Sequence, residues 1–354
     1  MTKFKNILII ELEPGHFELL LSHIYLLKKR GYNLFFAANL KSQNRLEEII
    51  PHFQETIFVE KTKNVFELLK IRSFILKHNV EQVFFNTVAG RPVLLLCLLI
   101  PHRIFISGVL HDIEKLKKSN TQKLISLRIK HFIVLSRFLR DKANTISFGG
   151  LYFDYVYPIY FGDYIKNQHK SEQINIVIPG NVQNQRRDYI GFIEALRTVS
   201  GQYLEKIKFV ILGNINKDDG SEMVSLLKKY GLLRLFDLYD SYISDKDYHS
   251  VISESDYVMP LVHPPVFKYH KYNEYKISGA FNLAFGHKKP LLMHDELKET
   301  SEFDRISIFY TLEKINDLFT DLIKINRKEL IAGYDDDERF DEKKQEQRFF
   351  SVLK

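Results

Sequence analysis

Three short stretches of this 354-residue sequence carry side chains that could bind or transform an anionic ligand. The first is Ser278-Gly279, which opens an amphipathic pattern after a Tyr- and Lys-rich segment that contains Tyr275 and Lys276. A helix N-terminus offers backbone N–H groups, and the helix dipole favours an anion there. A diphosphate group fits this chemistry. An ordinary Ser N-cap without a ligand is the alternative interpretation.

The second stretch is the loop that begins Gly180-Asn181 and contains Arg186-Arg187 just before a predicted helix. A guanidinium group suits bidentate contact with phosphate oxygens, and a glycine lets a ligand approach the backbone. The pair therefore indicates a phosphate contact. A pair of solvated surface charges is the alternative.

The third feature is a pair of loops, far apart in the sequence, that each carry a histidine and follow a predicted strand. Gly15-His16 follows an apolar run that begins at Asn6, and His111-Asp112 follows the strand predicted over 103–107. A histidine at such a loop can accept a proton or donate a hydrogen bond to a sugar hydroxyl, although a lone His is often only a cap or a surface residue. The first loop has one glycine where the dinucleotide fingerprint needs three, so it does not predict a dinucleotide site.

Strands alternate with helices throughout both halves, which predicts α/β structure in two doubly wound, parallel-sheet, Rossmann-like domains facing across a cleft. We expect an N-terminal domain over 1–165 and a second over 172–337. A C-terminal helix at about 338–354 would return to the first domain. Loops that follow parallel strands lie at the carboxyl edge of a sheet, so His16, Asn86 and His111 are expected on one edge.

The net charge of +7 is unevenly placed. The segment 113–142 has nine Lys or Arg residues against Glu114 and Asp141, and we expect one basic helix early in it. An anionic partner follows from this excess, and a solvated helix face is the alternative. The sequence has no helix-turn-helix, zinc-finger or aromatic RNA-binding pattern, so an anionic membrane surface is favoured over nucleic acid.

Cys97 is the one cysteine, and it lies inside an apolar run, which suits a core position and a reducing compartment. No apolar run reaches the length that crosses a bilayer. The first apolar stretch is short and runs into Glu11 and Glu13, as expected for a strand and not for a signal peptide. We therefore expect a cytoplasmic protein, associated peripherally with the inner face of the membrane.

These segments, in this order, resemble a family. EPGHFE and VLHDI in the first half resemble the loops of GT-B glycosyltransferases, and IPGNVQNQRRDYIGFIEAL and KISGAFNLAFGHKKPLL resemble their donor-binding segments. The similarity is greatest to the family 4-like glycosyltransferases of bacterial surface polysaccharide synthesis. The sequence departs from that family at the donor site, where Arg186 and Arg187 replace the usual Lys and no acidic residue lies in the predicted helix after Ser278.

The resemblance implies a hexosyltransferase that moves a sugar from a nucleotide-diphosphate sugar to a glycan or a polyprenyl-linked acceptor, with retention and without a metal or other cofactor. Its implied catalytic residues are His111, Asp112 and His16. The implied acceptor contacts are Gly15, His16 and Asn86. The implied donor contacts are Gly180, Asn181, Arg186, Arg187, His263, Tyr275, Lys276, Ser278 and Gly279. A nucleotide-sugar epimerase and a non-catalytic scaffold on the same fold are the alternatives.

Overall fold

Short runs of β-branched and aromatic residues form the strands of two parallel sheets. The computed structural model describes residues 5–13, 15–158, 173–272, 274–299, 302–325 and 327–353. The chain divides into two units, one comprising Met1–Tyr160, Glu274–Ile277 and Asp341–Lys354 and the other Phe161–Asn273 and Ser278–Phe340. The residues between the two predicted domains, 166–171, lie outside the described residues. The two-domain Rossmann-like class is confirmed.

The first unit contains a seven-stranded sheet in the order β3-β2-β1-β4-β5-β6-β7, with every pair parallel. The order reverses direction between β1 and β4, which is the point where ligands bind in doubly wound sheets. Its strands are β1 (Asn6–Glu11), β2 (Asn33–Asn39), β3 (Glu55–Val59), β4 (Gln82–Phe85), β5 (Phe105–Val109), β6 (His131–Val134) and β7 (Tyr152–Tyr155).

Amphipathic helices cover this sheet, and their buried faces match the helical spacing of the sequence. Asn64 and Ser136 cap two of them, as their sequence positions predict. The helices are α1 (Leu20–Lys29), α2 (Val65–Lys77), α3 (Gly90–Leu99), α4 (Lys115–Lys118), α5 (Asn120–Arg128), α6 (Arg137–Ile146) and the C-terminal α14 (Glu342–Ser351).

The prediction of one basic helix after His111-Asp112 is wrong, because the segment forms two helices, α4 and α5. Ser119 separates them in an extended conformation (φ −108°, ψ 114°), and its hydroxyl accepts a hydrogen bond from the Gln122 backbone N–H at 3.2 Å. A serine hydroxyl that bonds nearby backbone N–H groups favours a new helix start over continuation of the previous helix.

Helix α14 belongs to the first unit and is fixed there by apolar and polar contacts. Phe349 is buried against Phe84 and His23, and the Gln345 side-chain oxygen accepts a hydrogen bond from the Tyr157 backbone N–H at 2.9 Å. Lys29 lies 2.8 Å from Glu342. Full burial of an aromatic side chain of this size contributes roughly 1.5–3 kcal/mol, so Phe349 outweighs an exposed ion pair.

The second unit repeats the design with a six-stranded parallel sheet in the order β10-β9-β8-β11-β12-β13. Its strands are β8 (Ile174–Pro179), β9 (Ile207–Asn214), β10 (Phe236–Tyr239), β11 (Tyr257–Val258), β12 (Leu291–His294) and β13 (Ser307–Tyr310). Its helices are α7 (Tyr189–Leu196), α8 (Gly201–Leu204), α9 (Gly220–Lys229), α10 (Asp245–Glu254), α11 (Gly279–His287), α12 (Ile315–Lys324) and α13 (Arg327–Asp335).

Helix α11 begins after Ser278 as predicted, and it ends at His287. Gly286 is buried inside the helix, and the left-handed residue that ends it is Lys288, with φ 50°. The next residue, Lys289, is buried and donates a hydrogen bond to the Ser253 carbonyl at 2.7 Å. That contact turns the chain from the helix toward β12, so Lys288 takes the cap conformation that usually needs glycine.

Candidate functional site

The carboxyl edge of the first sheet brings together the loops after β1, β4 and β5. These loops carry His16, Asn86 and His111, and they lie on both sides of the switch point between β1 and β4. The structure therefore places side by side three residues that are far apart in the chain. Gly15 belongs to the same loop as His16, and a Cβ atom at Gly15 would meet no heavy atom within 4 Å.

A residue missed by the sequence analysis, Glu11, lies behind these loops. Its side chain is buried and accepts hydrogen bonds from the Glu13 backbone N–H at 2.8 Å, from Asn86 Nδ2 at 2.8 Å and from Thr87 Oγ1 at 2.7 Å. Burial raises the pKa of Glu11 to about 7, although these three hydrogen bonds act in the opposite direction. The carboxyl group can therefore both hold and release a proton near neutral pH.

His111 and His16 stack on each other, with ring centroids 3.8 Å apart. His111 Nε2 lies 2.9 Å from the Asn86 carbonyl oxygen, which can only accept, so Nε2 carries the hydrogen. The same nitrogen is 3.4 Å from Thr87 Oγ1. Burial lowers the pKa of His111 to about 3, and the charge on His16 adds to this effect. His111 is thus neutral, with Nδ1 as a proton acceptor.

His16 forms the other half of the stack and is paired with a carboxylate. Its backbone is left-handed, with φ 63°, and its Nδ1 lies 3.6 Å from Glu18 Oε1. Burial lowers the pKa of His16, but the carboxylates of Glu18 and Glu11 outweigh burial and raise it overall. Burial would raise the pKa of Glu18, but its contact with His16 holds that pKa below its ordinary value. The two carboxylates thus favour the protonated form of His16, which stacks on the neutral imidazole of His111.

Asn86 organises this cluster from the inside. Its side chain has 0% exposure; Nδ2 donates to Glu11 Oε2 and to the His16 carbonyl, both at 2.8 Å, and Oδ1 is 3.1 Å from His23 Nδ1. Burial lowers the pKa of His23 to about 4, so that ring is neutral and can donate from Nδ1. The Asn86 side chain offers no surface to an acceptor, and its geometry is that of a positioning residue.

Asp112 is near His111 in sequence but directs its side chain to its own turn. Its Oδ1 accepts a hydrogen bond from the Glu114 backbone N–H at 3.0 Å, which fixes the start of α4. The backbone N–H of Ile113, the residue after Asp112, donates a hydrogen bond to the Tyr275 carbonyl at 3.0 Å. Tyr275 and Lys276 thus belong to the first unit, and Lys142 Nζ lies 4.4 Å from the Tyr275 ring centroid.

At the carboxyl edge of the second sheet, the loop after β8 is shaped by Gly180 and Arg187. Gly180 has φ 99°, a backbone conformation that favours glycine, and a Cβ atom there would lie 2.5 Å from Arg187 Nη2. Arg187 Nη1 donates to the Asn181 carbonyl at 3.3 Å, while its Nε is buried and has no hydrogen-bond partner among the described residues. Arg186 is exposed.

His263 follows β11 and is enclosed by protein groups. Its Nδ1 lies 2.9 Å from Asp188 Oδ2, its Nε2 lies 2.7 Å from the Tyr310 hydroxyl, and its side chain is 1% exposed. Asp188 also caps α7 by accepting from the Gly191 backbone N–H at 2.9 Å. Burial raises the pKa of Tyr310, so its hydroxyl stays protonated and donates to Nε2. His263 therefore ties the start of α7 to the end of β13.

Ser278 and Gly279 form the start of α11. The Ser278 hydroxyl accepts a hydrogen bond from the Ala280 backbone N–H at 3.4 Å, and its carbonyl accepts one from Phe281 at 3.0 Å. Ser278 is buried and Gly279 is exposed. Ser278 is thus the N-cap of α11, and the exposed glycine leaves the backbone at this helix start accessible.

The basic segment 113–142 is partly neutralised by acidic neighbours. Lys118 lies 2.6 Å from Glu114, Arg140 lies 2.7 Å from Asp141, and Lys142 lies 3.1 Å from Glu274. In the described parts of the chain, no helix is long and apolar enough to cross a membrane. No group of three or more His, Cys, Asp or Glu side chains in those parts is arranged to hold a metal ion.

Comparisons with solved structures find a similar two-domain fold along the whole chain. The Anabaena protein HepE in complex with UDP-glucose has a TM-score of 0.69 at 13% identity, covering 98% of this chain and 99% of that one. A glycosyltransferase from Rickettsia africae gives 0.65 at 14%, covering 100% of both. The UDP-GlcNAc 2-epimerase from Neisseria meningitidis bound to UDP-GlcNAc gives 0.62 at 11%, covering 99% of both.

The comparison with protein-family models found no match, and the comparison with curated proteins found none either. Sequence identities of 11–14% establish a common fold and nothing finer. The chain thus has the two Rossmann-like domains of the GT-B-like fold that glycosyltransferases and UDP-GlcNAc 2-epimerases share.

Proposed function

We propose that this protein is a glycosyltransferase that moves a sugar from a nucleotide-diphosphate sugar to a hydroxyl of a glycan or lipid-linked acceptor. The observation that carries the proposal is a neutral His111 whose Nε2 is held by protein groups and whose Nδ1 can accept a proton. The fold shared with HepE and the Rickettsia africae glycosyltransferase supports it. So does the resemblance to family 4-like enzymes of surface polysaccharide synthesis.

The chemical step breaks the bond between the sugar and the diphosphate, and the electron pair leaves with the diphosphate. The acceptor oxygen forms the new bond and loses its proton to His111 Nδ1. Because the pKa of His111 is about 3 and that of Glu11 about 7, the proton does not rest on the imidazole. His111 Nε2 releases its hydrogen to Thr87 Oγ1 as the Thr87 hydroxyl hydrogen moves to Glu11 Oε2, the 2.7 Å contact.

The donor diphosphate is assigned to the second unit, on the loop of Gly180 and Arg187. The buried Arg187 Nε lacks a partner among the described residues, and a phosphate oxygen would satisfy it. The accessible start of α11 at Gly279 would add backbone N–H groups and the helix dipole. Both features stabilise charge that develops on the leaving diphosphate. We include three further properties in this proposal, which are expected from the sequence. They are retention of configuration, metal independence and peripheral membrane association.

A nucleotide-sugar 2-epimerase is the second candidate, because the structure gathers more titratable groups than the sequence suggested. Glu11, Glu18, His16 and His111 lie at one edge of the sheet. Inverting a carbon centre needs proton removal on one face and delivery on the other. The two histidines, however, are stacked and form one acid–base surface, while Glu11 is covered by Asn86 and Thr87. This geometry favours a single proton acceptor, as transfer requires.

A non-catalytic scaffold is disfavoured by Glu11. A carboxyl whose pKa is raised to about 7 by burial destabilises the fold at neutral pH, and such groups cluster at sites that perform chemistry.

The proposal is tested by incubating the protein with UDP-, GDP- and CDP-sugars in deuterated water, with and without acceptor glycans and polyprenyl phosphates. A transferase releases the nucleoside diphosphate faster when its acceptor is present and leaves the sugar carbons free of deuterium. Deuterium at C2 of the recovered sugar nucleotide, formed without an acceptor, would establish the epimerase instead.

A further inference from the structure

A cavity of about 950 Å³ opens at the opposite edge of the first sheet from the histidine cluster. It lies at the amino ends of β1, β4, β5 and β6, where Asn6, Gln82, Phe105 and His131 begin the strands. Its volume is in the range of pockets that bind small ligands or ligand headgroups. The chemistry proposed above does not use this edge.

The cavity is strongly basic. Its lining includes four permanent cations and two histidines, and among the described lining residues Glu81 is the one acid. The basic lining residues are Lys5, His102, Arg103, Arg128, Lys130 and His131. Four positive charges against one negative charge create a site for an anionic group, and phosphate is the anion that Arg and Lys bind most readily in proteins.

Arg128 is held in a fixed position at this cavity. Its Nη2 donates to the Ile104 carbonyl at 2.7 Å and to the Pro101 carbonyl at 3.2 Å. Its Nε is buried and has no hydrogen-bond partner among the described residues. The guanidinium group is therefore pinned by the connection between α3 and β5 while one of its donors stays unused, as expected of a preorganised anion contact.

Three exposed leucines lie on α3 and α5, the helices that lead to the cavity-lining residues His102 and Arg128. Leu98 is in the last turn of α3 and is 76% exposed, and Leu127, which immediately precedes Arg128 in α5, is 65% exposed. Leu124, one turn earlier in α5, is 51% exposed. Helices α3 and α5 pack against each other, and in a parallel α/β sheet their C-terminal ends lie at the amino edge. Apolar and basic side chains thus share one surface.

We propose that this amino-edge surface docks the protein on an anionic phospholipid bilayer. A lipid phosphate enters the basic cavity, and the leucines enter the boundary between headgroups and acyl chains. The surface consists of Lys5, Leu98, Arg103, Leu124, Leu127, Arg128 and Lys130. A bilayer fits better than nucleic acid, because exposed leucines gain only by leaving water, and nucleic acid does not provide an apolar phase.

This assignment refines the membrane association included in the proposed function, and it does not depend on sugar transfer. The proposed membrane contact is the amino edge of the first sheet and not the whole basic segment 113–142. Lys118, Arg140 and Lys142 are paired with acidic residues, whereas Arg103, Arg128 and Lys130 line the cavity.

The test is co-sedimentation with vesicles of phosphatidylcholine alone and of equal parts phosphatidylcholine and phosphatidylglycerol. We expect binding to the anionic vesicles only. The pair Arg103→Glu and Lys130→Glu should weaken it by about 25-fold or more, since each basic residue near such a surface contributes roughly fivefold. The pair Leu98→Ser and Leu127→Ser should weaken it by about tenfold or more.

The matched control is the pair Lys61→Glu and Lys63→Glu, which changes the net charge equally at exposed positions after β3. It should keep binding within about twofold, because exposed charges beyond the Debye length contribute little. Thermal stabilisation of each variant by UDP, GDP or CDP is measured without vesicles. It reports, independently of membrane binding, whether the variant folds and keeps its donor site. A loss of vesicle binding with that stabilisation intact isolates the membrane surface from the proposed enzyme site.

Three results would overturn the proposal. One is that the control variant, Lys61→Glu/Lys63→Glu, loses as much vesicle binding as Arg103→Glu/Lys130→Glu, which would show an effect of net charge alone. Another is that the Leu98→Ser/Leu127→Ser variant binds vesicles as well as the wild type, while inorganic phosphate at constant ionic strength displaces the vesicles. The cavity would then be a site for free phosphate. The last is tight binding of a single-stranded RNA probe that depends on Arg103 and Lys130, with no binding to either vesicle.

Discussion

The carboxyl edges of the two sheets use the same three kinds of group, a carboxylate, an imidazole and a hydroxyl, in different orders. In the first unit the hydroxyl of Thr87 lies between Glu11 and His111. In the second unit the imidazole of His263 lies between Asp188 and Tyr310. The order decides which group remains available to a substrate.

An imidazole in the middle of such a chain has both nitrogens occupied and acts as a brace. An imidazole at the end keeps one nitrogen for a substrate. The surroundings reinforce this difference: the pKa of buried Glu11 is raised to about 7, whereas the contact with His263 holds the pKa of Asp188 below its ordinary value despite burial. We infer that the first unit supplies the chemistry and that the second holds the nucleotide.

The largest effect is expected from His111→Ala. Removing a general base typically costs about 10²–10⁴-fold in rate, and this change should leave nucleotide affinity within about twofold. The measurement is the rate of nucleoside diphosphate release in the presence of acceptor. His263→Ala is the comparison variant: it should cost mainly stability. Equal losses of rate in the two variants, with equal melting temperatures, would remove the distinction between the two edges.

Glu11→Gln should lower the rate and remove the pH dependence of stability that Glu11 causes. Between the ordinary pKa of 4.5 and about 7, the folded protein binds the Glu11 proton and the unfolded chain does not, so stability falls as pH rises through this window. Above pH 7 the full cost remains, at most about 3 kcal/mol from the usual conversion per pKa unit. Glutamine removes this cost. Melting curves from pH 4.5 to 8 should therefore diverge in favour of the variant, and parallel curves would contradict a raised pKa.

Arg187→Ala should weaken binding of the nucleoside diphosphate by about 10–100-fold, the usual worth of a charge-assisted hydrogen bond. Arg186→Ala is its matched control, because Arg186 is exposed on the same loop, and it should change affinity by less than about threefold. Titration calorimetry measures both. A larger loss for Arg186 than for Arg187 would mean that the half-buried Arg187 guanidinium group serves the loop and not the ligand.

Tyr310→Phe should give the smallest effect, about 1–3 kcal/mol of lost stability, because it leaves His263 Nε2 buried without a donor. Denaturant unfolding measures this loss. An unchanged stability in Tyr310→Phe would show that the Tyr310 hydroxyl does not support the brace.

The sequence predicted the alternating strands and helices and the loops that gather at the carboxyl edge of the first sheet, because these depend on local patterns. The sequence indicated that Glu11 is the ordinary end of a strand and did not predict that its carboxyl group is buried. The signal was present, since Glu11 ends a fully apolar run, but its partners Asn86 and Thr87 are 75 and 76 residues away. Such partners emerge only from the register of β1 against β4.

His263 shows the converse. A histidine in a loop after a strand has the same sequence signature as His111, yet its two nitrogens are occupied by Asp188 and Tyr310. The single basic helix was also wrong for a local reason, the Ser119 cap, whose competition with the helix is visible in the sequence only as one polar residue.

The most direct test of the division between the two units is thermal stabilisation by UDP, GDP and CDP in EDTA, for the wild type, His111→Ala and Arg187→Ala. At a hundred times its dissociation constant the correct nucleotide should add about 2.7 kcal/mol. We predict that this shift persists in His111→Ala and is largely lost in Arg187→Ala. A shift lost in His111→Ala and kept in Arg187→Ala, or no shift with any nucleotide, would contradict the assignment of the nucleotide to the second unit.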